Sequence, residues 1–224
     1  MDIHTLRRYV AARDAMSVLE TVDVTTGVRS VLQEFDHVME APNWTRDGRL
    51  LVYNSDGRIY TYELATGAVT HVDTGFAIDC NNDHVLSPDN TQIAVSHFTY
   101  EDASSRIYIV PFHGGDPMLV TERGPSYLHG WSPDGRTLAY CAERNGDYDI
   151  FTISVDGGPE TQLTYSPGLD DGPEYSPDGH HIWFNSVRSG LMQIWRMEAD
   201  GANPVHMVKE DANCWFPHFS PDGT

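Results

Sequence analysis

Short apolar segments alternate with polar turns along the chain, and they recur at a constant spacing. Four of them, each rich in β-branched or aromatic side chains, begin at intervals of 43 to 45 residues: 50–53, 93–96, 138–141 and 182–185. Each segment is too short for a buried helix, and glycine, proline and aspartate lie close to it in the sequence, which is typical of β-strands. The pattern predicts an all-β chain built from a repeated unit.

A turn motif precedes each of these strands. Its sequence is TRDG at 45–48, SPDN at 87–90, and SPDG at 132–135, 176–179 and 220–223. Proline presets φ at about −65° in the second turn position, aspartate accepts hydrogen bonds from nearby amides, and glycine accepts a positive φ. We interpret the motif as the hairpin between the first two strands of each unit. Its aspartates are then structural: Asp47, Asp134, Asp178 and Asp222.

Two further strands follow in each unit. An isoleucine followed by an aromatic residue marks the third strand, at 59–60, 107–108, 150–151 and 194–195. A glycine turn then leads into a fourth short strand, such as 69–72. Four antiparallel strands in about 44 residues are typical of a blade of a β-propeller.

These motifs resemble a known family of repeats. The WSPDG turn at 131–135, the strand with isoleucine and an aromatic residue, and the DG or DGG turn together resemble the propeller repeats of the TolB family over nearly the whole chain. The segments APNWTRDG, CNNDH, YLHGWSPDG, DGPEYSPDG and WFPHFSPDG resemble TolB-related proteins that form a single six-bladed propeller. The repeats are also similar, more distantly, to those of oligogalacturonate lyases. The resemblance is specific for the fold and much less specific for function.

We therefore expect residues 1–224 to form a single, incomplete β-propeller domain. The predicted whole blades are 40–75, 77–122, 125–165 and 170–209, with partial blades at about 1–38 and 214–224. Six repeats of this length need about 260 to 300 residues, so we expect a C-terminally truncated fragment that lacks about 50 to 80 residues of the ring. With the ring complete, we expect a monomer.

Composition narrows the classes of partner. The chain has 14 Lys and Arg against 33 Asp and Glu, a formal net charge of −19, which disfavours nucleic acid and anionic membrane surfaces. No stretch approaches 18 apolar residues and no apolar leader follows the first residues, so we expect a cytoplasmic protein without membrane insertion. The three cysteines are isolated in the sequence and are expected to be reduced.

Propeller geometry indicates where a site would lie. The first strand of each blade lines the axis, and the loop that leads into it opens on the same face as the loop between strands two and three. We call this the funnel face; its segments next to the axis are 40–42, 81–84, 127–130, 170–174 and 213–218. Ten residues on this face are candidate ligand contacts: Asn82, Asp83, His84, His129, Arg144, Asp171, Glu174, Arg188, Trp215 and His218.

The histidines and carboxylates offer two chemistries. His84, His129 and His218 could hold a divalent metal or supply a general base near neutral pH. The alternative is structural: His84 and His129 occupy a strand position that is proline in other repeats, and bond a neighbouring blade. Likewise, the carboxylates of Asp171 and Glu174 either face a ligand or cap backbone amides.

The arginines and the tryptophan among the candidates can likewise have a binding role or a structural one. Arg144 and Arg188 lie 44 residues apart in equivalent loops, where they either bind a carboxylate or sulfate in bidentate fashion or belong to the repeat itself. Trp215 either stacks on a sugar or packs between blades. Asn82 suits recognition of a polyol.

The function predicted from the sequence is a non-catalytic binding module for a small polar ligand or a protein partner at the funnel face. No GxSxG, Walker, GxGxxG, HExxH or EF-hand motif is found, and no cofactor is expected. The alternative is a lyase or hydrolase acting on carbohydrate, which the resemblance to oligogalacturonate lyases implies. In that hypothesis the histidines hold a metal or act as bases, and an arginine binds a substrate carboxylate.

Overall fold

The computed structural model describes residues 16–219. Their strands form one two-stranded sheet and four four-stranded sheets. The two-stranded sheet consists of β1 (Ser17–Val22) and β2 (Arg29–Phe35). Asp222 and the last turn motif, together with residues 1–15 of the predicted first partial blade, lie outside the described residues.

The four larger sheets are the blades, and each contains four strands in chain order. The first blade is β3 (Glu40–Trp44), β4 (Leu50–Ser55), β5 (Arg58–Glu63) and β6 (Val69–Val72). The second is β7 (Cys80–Leu86), β8 (Gln92–Thr99), β9 (Ser104–Pro111) and β10 (Met118–Leu119). The third is β11 (Ser126–Trp131), β12 (Thr137–Glu143), β13 (Tyr148–Ser154) and β14 (Thr161–Gln162). The fourth is β15 (Asp170–Tyr175), β16 (His181–Ser186), β17 (Gln193–Glu198) and β18 (Val205–His206).

The predicted all-β fold is confirmed, and all strand pairings within the blades are antiparallel. The four apolar segments found in the sequence lie within β4, β8, β12 and β16, the second strand of each blade. Among residues 16–219, no helix is long and apolar enough to cross a membrane.

The turn motif folds as its chemistry predicts. In the third blade the Ser132 hydroxyl donates to Asp134 Oδ1 at 2.6 Å, and the same oxygen accepts the Arg136 N–H at 3.1 Å. These hydrogen bonds, that from Ser132 above all, lower the pKa of Asp134. Gly135 then adopts a φ of 76°. The turns at Asp47 and Asp178 make the same two contacts, which supports their structural role.

The core lies between neighbouring blades. Leu128, Leu138 and Tyr140 of the third blade pack against Ala94 and Ile107 of the second, and all five are fully buried. Burying a leucine or isoleucine side chain contributes about 1.5–3 kcal/mol, so the blades hold one another through these layers. Equivalent clusters join the first blade to the second and the third to the fourth.

A β-bulge interrupts the innermost strand of every described blade. The pairing register shifts between Glu40 and Asn43 in β3, Cys80 and His84 in β7, Leu128 and Gly130 in β11, and Asp171 and Glu174 in β15. A bulge leaves residues unpaired and redirects their side chains. Since β11 packs against both β7 and β15, the three bulges of these strands lie close together.

Candidate functional site

The bulges bring together one histidine and two carboxylates from three blades. His129 Nε2 of β11 lies 3.1 Å from Asp171 Oδ1 of β15 and 3.9 Å from Asp83 Oδ1 of β7. All three side chains are mostly buried. Together with Glu174 and His218, which lie beside them, we call these residues the axial cluster.

The carboxylates of this cluster favour the protonated, positively charged form of His129. Burial alone would lower the pKa of His129, but Asp83 and Asp171 outweigh that effect, and the pKa is raised. Burial likewise opposes ionisation of Asp171, yet its hydrogen bond to His129 leaves its pKa below the ordinary value. Burial raises the pKa of Asp83, although His129 and a hydrogen bond of 2.5 Å from Asn81 Nδ2 favour its charged form. The two aspartates therefore favour the charged form of His129, which links three blades through these contacts.

The outer part of the cluster is a second ion pair. His218 Nδ1 lies 2.7 Å from Glu174 Oε2, and this hydrogen bond raises the pKa of His218. Glu174 Oε1 also accepts the N–H of Phe219 at 3.2 Å, so the carboxylate orders the last described segment of chain. The His218 side chain is 79% exposed, which leaves this pair open to a binding partner.

An aromatic ring covers the buried histidine. Phe216 stacks on His129 with ring centroids 5.4 Å apart, and its N–H donates to Asn185 Oδ1 at 3.0 Å. Gly172 makes room for this ring, because a Cβ at that position would lie 2.6 Å from Phe216 Cδ1. Trp215 is half exposed and packs at an angle against Phe216. It therefore extends the apolar surface beside the axial cluster.

His84 has a different environment from His129. Its Nε2 lies 3.3 Å from the carbonyl oxygen of Val52 in the first blade, so the ring donates a hydrogen bond between blades. The side chain is 2% exposed, and burial lowers its pKa to about 4. A neutral, buried histidine bonded to backbone has the features of the structural alternative.

Of the three candidate metal ligands, His129 and His218 lie in the axial cluster, and His84 lies apart from it. His84 contacts the Val52 carbonyl, His129 contacts two aspartates, and His218 contacts Glu174. Within residues 16–219 there is no group of three or more His, Cys, Asp or Glu side chains that could hold a metal ion. The hypothesis of a shared metal site therefore gains no support from the geometry.

The two candidate arginines make their contacts inside the blades. Arg144 is 4% exposed and donates to Glu160, to the Ser126 hydroxyl and to backbone carbonyls, with Phe151 under its guanidinium. Arg188 donates to Asp170 Oδ2 at 2.7 Å and to Ser186 Oγ at 2.8 Å. These hydrogen bonds fit the interpretation in which the arginines belong to the repeat.

The prediction from sequence missed two residues of this region, and it could not tell which of the predicted residues are buried and which are exposed. Asn82 lies in the bulge of β7 and is exposed, beside the more buried Asp83. Gly172 and Phe216 are not among the residues predicted from the sequence. In the structure they occupy the same repeat position, six residues before a turn aspartate, and both have a positive φ, of 59° and 47°. A glycine at this repeat position, where Ala41 also has a φ of 50°, was the one signal in the sequence.

The fold and the axial cluster define a class of protein: a β-propeller with a polar cluster where the innermost strands meet. Residues 84–224 match the family model described as the TolB beta propeller domain, which is more than half of the chain. The chain belongs to the TolB β-propeller family.

Its relatives agree with this assignment. The chain is 45% identical over 160 residues to an uncharacterized protein of Agrobacterium fabrum, covering 71% of this chain and 54% of that protein. It is 30% identical over 129 residues to the Tol-Pal system protein TolB of Francisella tularensis, covering 56% of this chain and 29% of that protein. The chain thus spans about half the length of the first relative and under a third of the second.

Solved structures show the same fold. A structure described as a "putative TolB" from Agrobacterium tumefaciens superimposes with a TM-score of 0.88 at 45% identity, covering 93% of this chain and 75% of that one. An oligogalacturonate lyase in complex with manganese superimposes with a TM-score of 0.59 at 16% identity, covering 87% of this chain and 61% of that one. At that identity the likeness to the lyase shows the fold alone.

Proposed function

We propose that this propeller is a non-catalytic binding module that takes a cationic group of a protein partner at the axial cluster. The observation that carries the proposal is the excess of carboxylates there. Asp83, Asp171 and Glu174 surround His129, and Glu40 adds to the negative potential at Asp83. The four carboxylates outnumber the two imidazoles of His129 and His218, so the cluster attracts a cationic partner, and the net charge of −19 acts in the same direction.

Aromatic side chains add a second feature suited to a cation. The exposed face of Trp215 and the ring of Phe216 lie beside the carboxylates. A lysine, an arginine or an amino terminus is attracted both by carboxylates and by aromatic faces. A protein partner is favoured because propellers of this family mediate protein interactions. A small polar or carbohydrate ligand is the alternative occupant of the same site.

The state of His129 supports binding over catalysis. A general base works best when its pKa lies near the working pH and when its nitrogen can reach the substrate. The Nε2 of His129 is instead bonded to Asp171, and Phe216 covers the ring. The lyase or hydrolase alternative rests on the shared fold and on no contact at this site.

Calorimetric titration with a capped lysine peptide tests the proposal. We expect saturable binding to the wild-type chain and a loss of at least about tenfold in affinity in Asp171→Asn and Glu174→Gln, since each removes a charged acceptor. The matched control is Glu122→Gln, which neutralises an exposed carboxylate on the connection between β10 and β11, and should bind like the wild type. Equal binding of a capped glutamate peptide, or unchanged affinity in both cluster variants, would contradict the proposal.

A further inference from the structure

The loop between the second and third strands of the third blade contains an asparagine followed by a glycine. Asn145 and Gly146 lie between β12 and β13, and both residues are exposed. Of the asparagines in the chain, only Asn145 precedes a glycine. This pair is separate from the axial cluster, and neither residue has a role in the function proposed above.

An asparagine before a glycine can lose ammonia by reaction with its own backbone. The amide nitrogen of the glycine attacks the carbonyl carbon of the asparagine side chain, a C–N bond forms, and the side-chain nitrogen leaves as ammonia with the proton of the attacking nitrogen. Water then opens the resulting five-membered cyclic imide at one of its two carbonyl groups, which gives aspartate or isoaspartate. Glycine favours the attack because it has no Cβ beside the nitrogen and its backbone is less restricted.

The structure leaves both reacting groups of this pair unrestrained. Among residues 16–219, neither the Gly146 N–H nor the Asn145 carboxamide has a hydrogen-bond partner. A Cβ at Gly146 would meet nothing within 4 Å, so the space around this backbone is open. The Asn145 side chain therefore has room to turn back onto the amide that follows it.

Other asparagines are held by contacts that oppose the same reaction. After Asn213, the Cys214 N–H donates to the Met192 carbonyl at 2.8 Å, and Asn213 Oδ1 accepts the Met192 N–H at 3.1 Å. Asn54 and Asn185 are almost fully buried within β4 and β16, where strand pairing on both sides fixes the backbone. The exposed loop of the third blade thus differs from these sites in burial and in hydrogen bonding.

We propose that Asn145 is a site of spontaneous deamidation, with the Gly146 nitrogen as the nucleophile and with aspartate and isoaspartate as the products. Each event converts a neutral amide into a carboxylate, two residues before Asp147, and makes the net charge of −19 more negative by one. Isoaspartate also lengthens the main chain of the loop by one methylene. Asp147 Oδ1 accepts the Gly168 N–H at 3.3 Å, so the change occurs beside the segment that leads into β15.

Peptide mapping by mass spectrometry of the folded chain, incubated at pH 6 and at pH 8, tests the proposal. We expect deamidation to accumulate at Asn145, and to do so faster at pH 8 because the attacking amide must lose its proton. Methylation by an isoaspartate-specific methyltransferase should detect isoaspartate in the same peptide. Asn213, whose following amide is held by Met192, is the internal reference and should stay unmodified over the same period.

Two variants of this exposed loop separate the proposed route from direct hydrolysis. Asn145→Gln should abolish the isoaspartate signal, because glutamine forms the corresponding six-membered imide much more slowly. Gly146→Ala should slow the reaction severalfold, because its methyl group hinders the attacking nitrogen. No more deamidation at Asn145 than at Asn213 would overturn the proposal. Aspartate without isoaspartate, or an unchanged rate in Gly146→Ala, would also overturn it, because the Gly146 nitrogen would then not be the nucleophile.

Discussion

His84 and His129 occupy the same position in successive blades, five residues before the turn aspartate, yet their surroundings differ in charge. His84 faces a backbone carbonyl of the neighbouring blade, and burial lowers its pKa to about 4. His129 lies in a bulge, and two carboxylates overcome the effect of burial and raise its pKa. The repeat therefore fixes where a side chain lies along its strand, while the adjacent blades determine its chemistry.

Of the variants considered, His129→Ala should cause the largest loss of stability. His129→Ala leaves Asp83 and Asp171 close together without their cation, and losing one member of a buried ion pair costs about 3–5 kcal/mol. We expect urea denaturation at neutral pH to show this loss. The double variant His129→Ala with Asp171→Asn should recover part of it; a double variant less stable than the single one would contradict the ion-pair interpretation.

The two histidines should give opposite dependences on pH. His84 has a lowered pKa, so the stability it contributes is present above pH 6.5 and is lost as the pH falls toward 4. The loss is roughly 3 kcal/mol for a shift of this size. His129 has a raised pKa, so its contribution is complete below pH 6.5 and is lost as the pH rises through its folded-state pKa.

Unfolding free energies measured from pH 4 to pH 8 would separate these contributions. We expect His84→Ala to remove the loss on the acid side and His129→Ala to remove the loss on the alkaline side. If both variants kept the pH profile of the wild type, the contrast between the two histidines would be wrong.

A smaller effect should follow from filling the space beneath Phe216. Gly172→Ala places a Cβ 2.6 Å from Phe216 Cδ1 at a φ of 59°, so we expect a loss of about 2–3 kcal/mol together with a displaced Phe216 ring. The matched control is Gly146→Ala, at a φ of 93° with nothing within 4 Å, which should cost only about 1 kcal/mol. Thermal unfolding compares them, and equal costs would mean that the contact with Phe216 is unimportant.

The fold could be predicted because its determinants are local. Each turn depends on a serine or threonine two residues before an aspartate, and the structure contains these contacts as expected. The repeated spacing then places the strands. Asp83, His129, Asp171, Glu174 and His218 were also identifiable, since they are polar residues in the segments that lead to the axis.

The arrangement of the site could not be predicted, because it depends on contacts distant in sequence. His129 meets Asp171 from another blade, 42 positions away, only because β-bulges redirect both side chains. Arg144 was a candidate ligand contact because of its loop, but its partner Glu160 follows the next strand and holds it inside the blade. A single sequence does not show either pairing.

The pKa of His129 is the quantity on which this account depends most directly. Titration of the imidazole signals by NMR, with His129→Ala and His84→Ala used to assign them, would measure it in the intact chain. We expect His129 to titrate above 6.5, while His84 stays neutral down to about pH 4. A His129 that titrates at or below 6.5 would contradict the charged link between blades and the binding site built around it.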